Sequence, residues 1–315
     1  MEKNADIKGR RSRWAAPDAR PDTRNVNDSE RDIEIYNLLD CERRYTYLFS
    51  NWIAHLLGAH GKHQKNGVSS RLGQLCLAPH YRLSRPEQQK FSLNISYKHN
   101  VFTLEPAGYK ALTDRGIRND IPLRPREHYA HTLLTDHMTA SIEIGCMPHH
   151  EYLSFFQLCA LGIIPENTSS EKNPFKIPVG EDHVVPDGRP FAIKQDKKVR
   201  YVLGMEVDRN TETLIGKHKN SIQKKFIRYG QLFKERGYKS HYGFSNSLVL
   251  FITTNATHLQ NVMEVARKEL GSPSWLLFTT IDDWSTAPHA PVPGPFMFER
   301  EWLRVGHPPL KLGDF

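Results

Sequence analysis

The chain has few cysteines, four in 315 residues: Cys41, Cys76, Cys146 and Cys159, each far from the next. No CxxC pair occurs, which excludes a zinc ribbon and a dithiol redox motif. We read all four as reduced thiols of a cytoplasmic protein. No apolar run reaches the roughly 18 residues a membrane span requires, so no membrane partner is expected. The N-terminus lacks the apolar core of a signal peptide, which argues against secretion. There is no Walker loop, no GxGxxG and no GxSxG, so nucleotide cradles and hydrolase elbows are not written here. Acidic residues are outnumbered by Lys and Arg, 35 to 43, leaving a formal charge of +8. That sign favours polyanion partners without identifying one.

What is present falls into ordered blocks. Residues 1–30 are polar, with Arg10, Arg11, Arg13, Arg20 and Arg24 among acids and prolines, and read as a disordered basic arm. From Arg31, the spacing of Ile33, Ile35, Leu38 and Leu39 predicts a helix. RRYTYLFSNWIAHLLG predicts a second, with Tyr45, Leu48, Trp52, Ile53, Leu56 and Leu57 on one stripe and Gly58 at its end. VSSRLGQLCL predicts a short third helix. Tyr81–Arg85 and Asn100–Leu104 read as two strands, and Ala107–Arg115 as a closing helix. Three helices and a β-wing define a winged helix-turn-helix over residues 31–120. Ser69, Ser70, Arg71 and Gln74 on the third helix, with Arg82 and Arg85 near the wing, are the candidate DNA contacts, because Arg and Gln reach base edges and phosphates. A winged helix used only for protein contacts is the plain alternative.

IRNDIPLRPRE looks like a linker. The second block, residues 127–284, reads as an α/β domain, so the chain is α+β overall. Leu133, Leu134, Met138 and Ile142 form the stripe of its first helix. HHEYLSFFQLCALGI is strand or helix. PFAIK and RYVLGMEVD read as strands. A helix follows with Ile222, Phe226, Tyr229 and Phe233 near one face. SLVLFITTN and SWLLFTTID are buried strands separated by a helix ending at Gly271. That order predicts parallel strands in a mixed sheet. Residues 285–315 read as a Pro-rich extension wrapping the surface.

The chemistry concentrates in VVPDGRPFAIKQDKKVRYVLGMEVDRNTE, Val184 to Glu212. A hairpin there brings Asp187 and Glu206 to one edge. Glu206 and Asp208 are two residues apart and share a strand face. Carboxylates on rigid strands hold Mg²⁺ or Mn²⁺, with Asp208 as accessory ligand. Val184-Val185 and Val202-Leu203 should be buried around them. The plain alternatives are a turn cap for Asp208 in DRNTE and an Asx turn for Asp187 in PDG. His60 with His63, His128 with His131, and His149-His150 lack an accompanying ligand set.

Pro186-Asp187, two strands and Glu206 resemble the PD-(D/E)XK nuclease superfamily, but Asp208 stands where that pattern has Lys. The layout is also similar to the replication-relaxation family of plasmid and mobile-element proteins. The resemblance covers roughly residues 31–255 and rests on His131-Thr132-Leu133 with Asp136, Pro186-Asp187-Gly188, the run Glu206 to Glu212, and Lys225 with Tyr229. Asn210 replaces the family's Gly and should sit in a left-handed turn. The resemblance implies a winged helix followed by a restriction-endonuclease-like mixed-sheet domain. It also implies a catalytic Lys moved to the following helix, with Lys225 as candidate, Lys219 and Lys224 behind it, and Glu143 as accessory acid. The function implied is a DNA-binding plasmid or mobile-element protein that cleaves phosphodiesters with a divalent metal. An inactive regulator of plasmid replication or transfer is the alternative. So is an adaptor for protein partners in a replication, transfer or defence complex.

Overall fold

A computed structural model of the chain describes residues 27–91, 100–122, 128–216, 221–281 and 292–314. The expected basic arm lies outside these residues except for its last four positions, and so does Lys219. The chain divides into two compact units, Met1–Pro125 and Arg126–Phe315.

The first unit begins with α1 (Glu30–Leu38), capped by Ser29, whose N–H and hydroxyl donate to Asp32 in return. β1 (Leu48–Phe49), α2 (Ser50–Leu56), α3 (Lys62–Leu75), β2 (Leu83–Ser84), α4 (Gln88–Phe91), β3 (Val101–Leu104) and α5 (Pro106–Asp114) follow. The three strands form an antiparallel sheet in the order β1-β3-β2, with Leu48 opposite Phe102 and Leu83 opposite Leu104. Tyr36, Trp52, Ile53, Leu72, Leu75 and Leu112 fill the core.

Three expectations are corrected in this unit. The second helix starts at Ser50, because Leu48 and Phe49 are buried by pairing with β3 rather than by a helical stripe. The third helix starts six residues earlier than Val68, at Lys62. Its first turns are solvated, so no apolar periodicity marks them; Gly61 N–H donating to Gln64 Oε1 at 3.2 Å does. Arg118, read as linker, is buried: its guanidinium binds both Asp40 oxygens at 2.7 and 2.6 Å, then Glu42 and Asp120.

The second unit contains α6 (Tyr129–Cys146), β4 (Glu151–Ser154), α7 (Phe155–Ala160), α8 (Glu166–Ser169), β5 (Ile177–Val179), β6 (Asp182–Val184), β7 (Phe191–Gln195) and β8 (Lys198–Asp208). It continues through α9 (Ile222–Lys234), α10 (Gly237–Tyr242), β9 (Leu248–Thr253), α11 (Ala256–Leu270), β10 (Leu276–Thr280), α12 (Phe296–Glu299), β11 (Trp302–Arg304) and β12 (His307–Leu310). Seven strands make one mixed sheet, ordered β12-β11-β10-β9-β8-β7-β4, in which β8, β9 and β10 run parallel. β5 and β6 form a separate hairpin.

Alternation along the central strands sorts side chains to two faces. Leu203, Val249, Phe251, Leu276 and Phe278 meet α9 and α11; Val202, Leu250, Ile252 and Leu277 meet α6 and α12. The stretch left undecided as strand or helix is both in series, β4 and then α7. The C-terminal segment is not a surface wrap. Met297, Trp302 and Leu312 are fully buried, and β11 and β12 extend the sheet. Ser141 Oγ receives Met297 N–H at 2.9 Å and donates to Gly294 O, pinning the segment to α6. Among the described residues, no helix is long and apolar enough to cross a membrane.

Candidate functional site

The site begins at the contact between β8 and the Pro186-Asp187-Gly188 turn. Gly188 N–H donates to Met205 O at 2.8 Å, laying the turn against the strand. Gly204 makes this approach possible: a Cβ there would stand 2.3 Å from Pro186 Cβ and 2.9 Å from Gly188 O. The turn aims Asp187 at the end of β8, where Val207 N–H donates to Oδ2 at 2.9 Å. On the other side, His131 Nε2 lies 3.1 Å from Oδ1. Asp187 is thereby oriented through both oxygens, with about a quarter of its side chain open to solvent, 24%.

Glu206 is 2% exposed, one residue before that N–H donor. Its carboxylate is bound by two side chains one turn apart on α9. Lys225 Nζ sits 2.7 Å from Oε2, and the Tyr229 hydroxyl donates to Oε1. Lys225 and Tyr229 share the face that Ile222 and Phe226 bury, because positions three and four apart align on a helix. Lys225 Nζ also binds Glu212 Oε1 at 3.0 Å, while Glu212 Oε2 is buried with no hydrogen-bond partner among the described residues. Asp187, Glu206, Glu212, Lys225, Arg228 and His183 line one cavity of about 280 Å³.

The electrostatics follow from burial and crowding. Burial pushes Glu206 up to about 7 despite the opposing Lys225 charge, and Asp187 adds to the rise. Burial would raise Asp187 as well, but the His131 bond and the Lys225 charge bring it below the usual carboxylate range. The Asp187 bond raises His131 against its own desolvation. Burial works against the Lys225 ammonium, yet Glu206, Asp187 and Glu212 together hold it above its ordinary value. Glu212 is raised by burial, with Lys225 opposing. Three carboxylates thus surround one ammonium.

A hard divalent cation prefers such oxygen donors. The Glu212 oxygen that has no partner among the described residues and the carboxylates of Asp187 and Glu206 on the same cavity fit one chemically. In this arrangement the Lys225 ammonium bridges Glu206 and Glu212. Among the described residues, no group of three His, Cys, Asp or Glu side chains stands ready-made for a metal.

The other expected site residues go elsewhere. Asp208 is not on the cavity: Oδ1 accepts the Thr211 and Glu212 N–H groups at 3.1 and 3.4 Å, and Oδ2 meets His258 Nε2 at 2.5 Å. Asn210 between them has φ +60°, the left-handed turn expected of it. Glu143 is buried in α6, twelve residues and so about 18 Å along the helix from His131, too far to join the cluster. Val185 is exposed rather than buried, since it lies on the cavity rim. In the first unit, Ser69 and Ser70 are exposed on α3. Arg71 is committed inward, to Asp32 at 2.9 and 2.7 Å and to Gln74 Oε1 at 3.3 Å. Arg82 pairs with Asp28 at 3.0 Å. Arg85 is half-buried just after β2.

Sequence reasoning passed over His131, Glu212, Tyr229 and His258 as site residues. Glu212 was signalled by its place in EVDRNTE, and Tyr229 by standing four residues after Lys225. His258 had no local signal, being 50 residues from Asp208. Family models, curated proteins and solved structures were each searched, and none matches this chain.

Proposed function

We propose that the chain is a cytoplasmic DNA-binding protein of a plasmid or mobile element whose second unit cleaves phosphodiester bonds with Mg²⁺ or Mn²⁺. The observation that carries this reading is the convergence of Asp187, Glu206, Glu212 and Lys225 on one cavity at the end of β8. The mobile-element setting rests only on the sequence resemblance carried by His131-Thr132-Leu133 with Asp136, PDG, EVDRNTE, and Lys225 with Tyr229.

Asp187 and Glu206 are the residues that would hold the ion, which when bound polarises a phosphodiester oxygen and acidifies a water. His131 and the Val207 N–H fix the rotation of the Asp187 carboxylate. Lys225 spends two N–H groups on Glu206 and Glu212, leaving a third for a water or a phosphate oxygen. Placed there, it steadies charge developing on the phosphate. Arg228, on the same cavity and 2.6 Å from Asp182, adds a second cation for the phosphate. Asp208 at the superfamily's Lys position does not line the cavity and acts on it only through its charge, which adds to the rise of Glu212.

The first unit supplies the DNA contact in this reading. Its order of α1, β1, α2, α3, then an antiparallel pair β2–β3, supports a winged helix. The exposed start of α3 carries Lys62, His63, Gln64, Lys65 and Asn66 ahead of Ser69 and Ser70. Those residues, rather than Arg71 and Arg82, are available to phosphates and base edges.

The test is cleavage of supercoiled, linear and single-stranded DNA by the full chain with Mg²⁺, with Mn²⁺ and with chelator. Wild type should nick or cut only with metal. Asp187→Ala and Glu206→Ala should lose about 100-fold or more, and Lys225→Ala about as much while binding DNA normally. Metal-independent cleavage, or cleavage surviving Glu206→Ala, refutes this site. DNA binding without cleavage of any form would make the chain a regulator, with the Lys225–Glu206–Glu212 cluster only structural.

A further inference from the structure

Asp208 and His258 form a buried pair just behind the cavity, and neither side chain lines it. Asp208 closes β8 and is 1% exposed. One of its oxygens, Oδ1, holds the N–H groups of Thr211 and Glu212, with Asn210 reversing the chain between them. A turn cap needs only that oxygen. The other, Oδ2, is taken by His258. His258 is itself fixed, since its N–H donates to the Asn255 cap of α11 at 2.8 Å. A carboxylate rotates easily about its last torsion. The imidazole contact holds that rotation, so Oδ1 stays on the two amides. The product is the placement of Glu212, with Oε1 on Lys225 at 3.0 Å and Oε2 buried with no partner among the described residues.

We infer that Asp208 and His258 are positioning residues: they hold the 209–212 turn that presents the Glu212 carboxylate to Lys225 and to a divalent cation, and Asp208 is not itself a ligand. This rests on the metal-dependent reading of the same site. It also gives a reason for the acid at position 208 where the superfamily's Lys is expected. The position serves the turn, and the cation at the site comes from α9.

The experiment measures Mn²⁺ binding to the full chain by calorimetry, with folding of each variant followed by circular dichroism. Glu212→Gln should weaken Mn²⁺ about 10-fold, and Asp208→Ala by a similar factor. Asp208→Asn keeps an oxygen for the two amides and a polar partner for His258, so it should stay within about 3-fold of wild type. The double variant Asp208→Ala with Glu212→Gln should bind as Glu212→Gln does, because both changes remove one interaction. His258→Ala should weaken Mn²⁺ several-fold and carries the test if Asp208→Ala does not fold. Asp208→Asn as weak as Asp208→Ala would make Asp208 a ligand and overturn the inference. Additive losses in the double variant, or wild-type affinity in Glu212→Gln or in folded His258→Ala, would also overturn it. Wild type that binds Mn²⁺ alongside unchanged Glu212→Gln leaves the proposed function standing. Wild type that binds no Mn²⁺ removes both.

Discussion

Glu206 combines a buried carboxylate, an ammonium and a phenol in one contact set, and its protonation governs the site. Raised to about 7 by burial, it carries a proton where an ordinary Glu would not. Metal binding and cleavage should therefore climb between about pH 6 and 8 with a midpoint near 7. A pH–rate profile checks this, and a flat profile over that range counts against Glu206 as a ligand. Stability should move the opposite way. The folded-state value lies above the unfolded one, so the folded chain holds the extra proton and loses stability as pH rises from about 4.5 to 7. His131 acts with the same sign, its contribution complete below about 6.5 and lost above its raised folded value. Glu206→Gln has no such titration and should gain on wild type by about 1–3 kcal/mol between pH 5 and pH 8 in urea melts. Tyr229→Phe removes the donor to Oε1, which lowers the Glu206 value. It should cost about 1–3 kcal/mol and move the rate midpoint upward. At this scale the sequence was legible where chemistry is local. Asp187 and Glu206 announce themselves by PDG and a strand end, while Lys225 entered only through what the family resemblance implies. His131 stood in a motif of the resemblance without a role, and His258 had no signal, because only the packing of α6 and α11 onto the sheet brings them to their acids.

At the scale of elements, the site depends on one close approach, the PDG turn lying on β8 at Gly204. A methyl there would press on Pro186 and on the Gly188 carbonyl. Gly204→Ala should cost about 1–3 kcal/mol by overpacking and should displace Asp187 from the Val207 amide. The expected result is a lowered melting temperature together with weakened Mn²⁺ binding. Loss of stability with unchanged binding would show that the turn can shift without moving the carboxylate. Elements were legible wherever burial has a period. The stripe of α9, the apolar runs of β9 and β10 and the Gly271 stop of α11 all read directly. The readings failed where burial has another cause. Leu48 and Phe49 mimic a helical stripe while pairing with β3. The start of α3 faces water on every side and so has no stripe. Residues 302–310 hide an edge hairpin among prolines, because Trp302 alone anchors β11.

At the scale of the whole molecule, the excess of basic residues sets how the DNA binding proposed above should respond to salt. Each phosphate neutralised releases condensed counterions, so log affinity falls against log salt by about 0.9 per contact on duplex DNA. The basic side chains are not equivalent contributors. Arg71 and Arg82 are held by Asp32 and Asp28, and a paired cation must break its ion pair before it serves a phosphate. Lys62 and Lys65 stand exposed on the first turns of α3. Replacing both with Ala should therefore weaken binding about equally on all duplex sequences and reduce the salt slope by about 2. Arg71→Ala should leave the slope nearly unchanged. It should instead lower the stability of the first unit by about 1–3 kcal/mol, because Asp32 is 1% exposed and would be left without its bidentate partner. Fluorescence anisotropy across a salt series, paired with urea melts of each variant, separates the two effects. An unchanged slope in the Lys62→Ala, Lys65→Ala double variant would show that α3 does not face DNA. A large slope change in Arg71→Ala, with stability intact, would mean that the Asp32 pair opens on binding and that the third helix is read from the side the sequence first indicated.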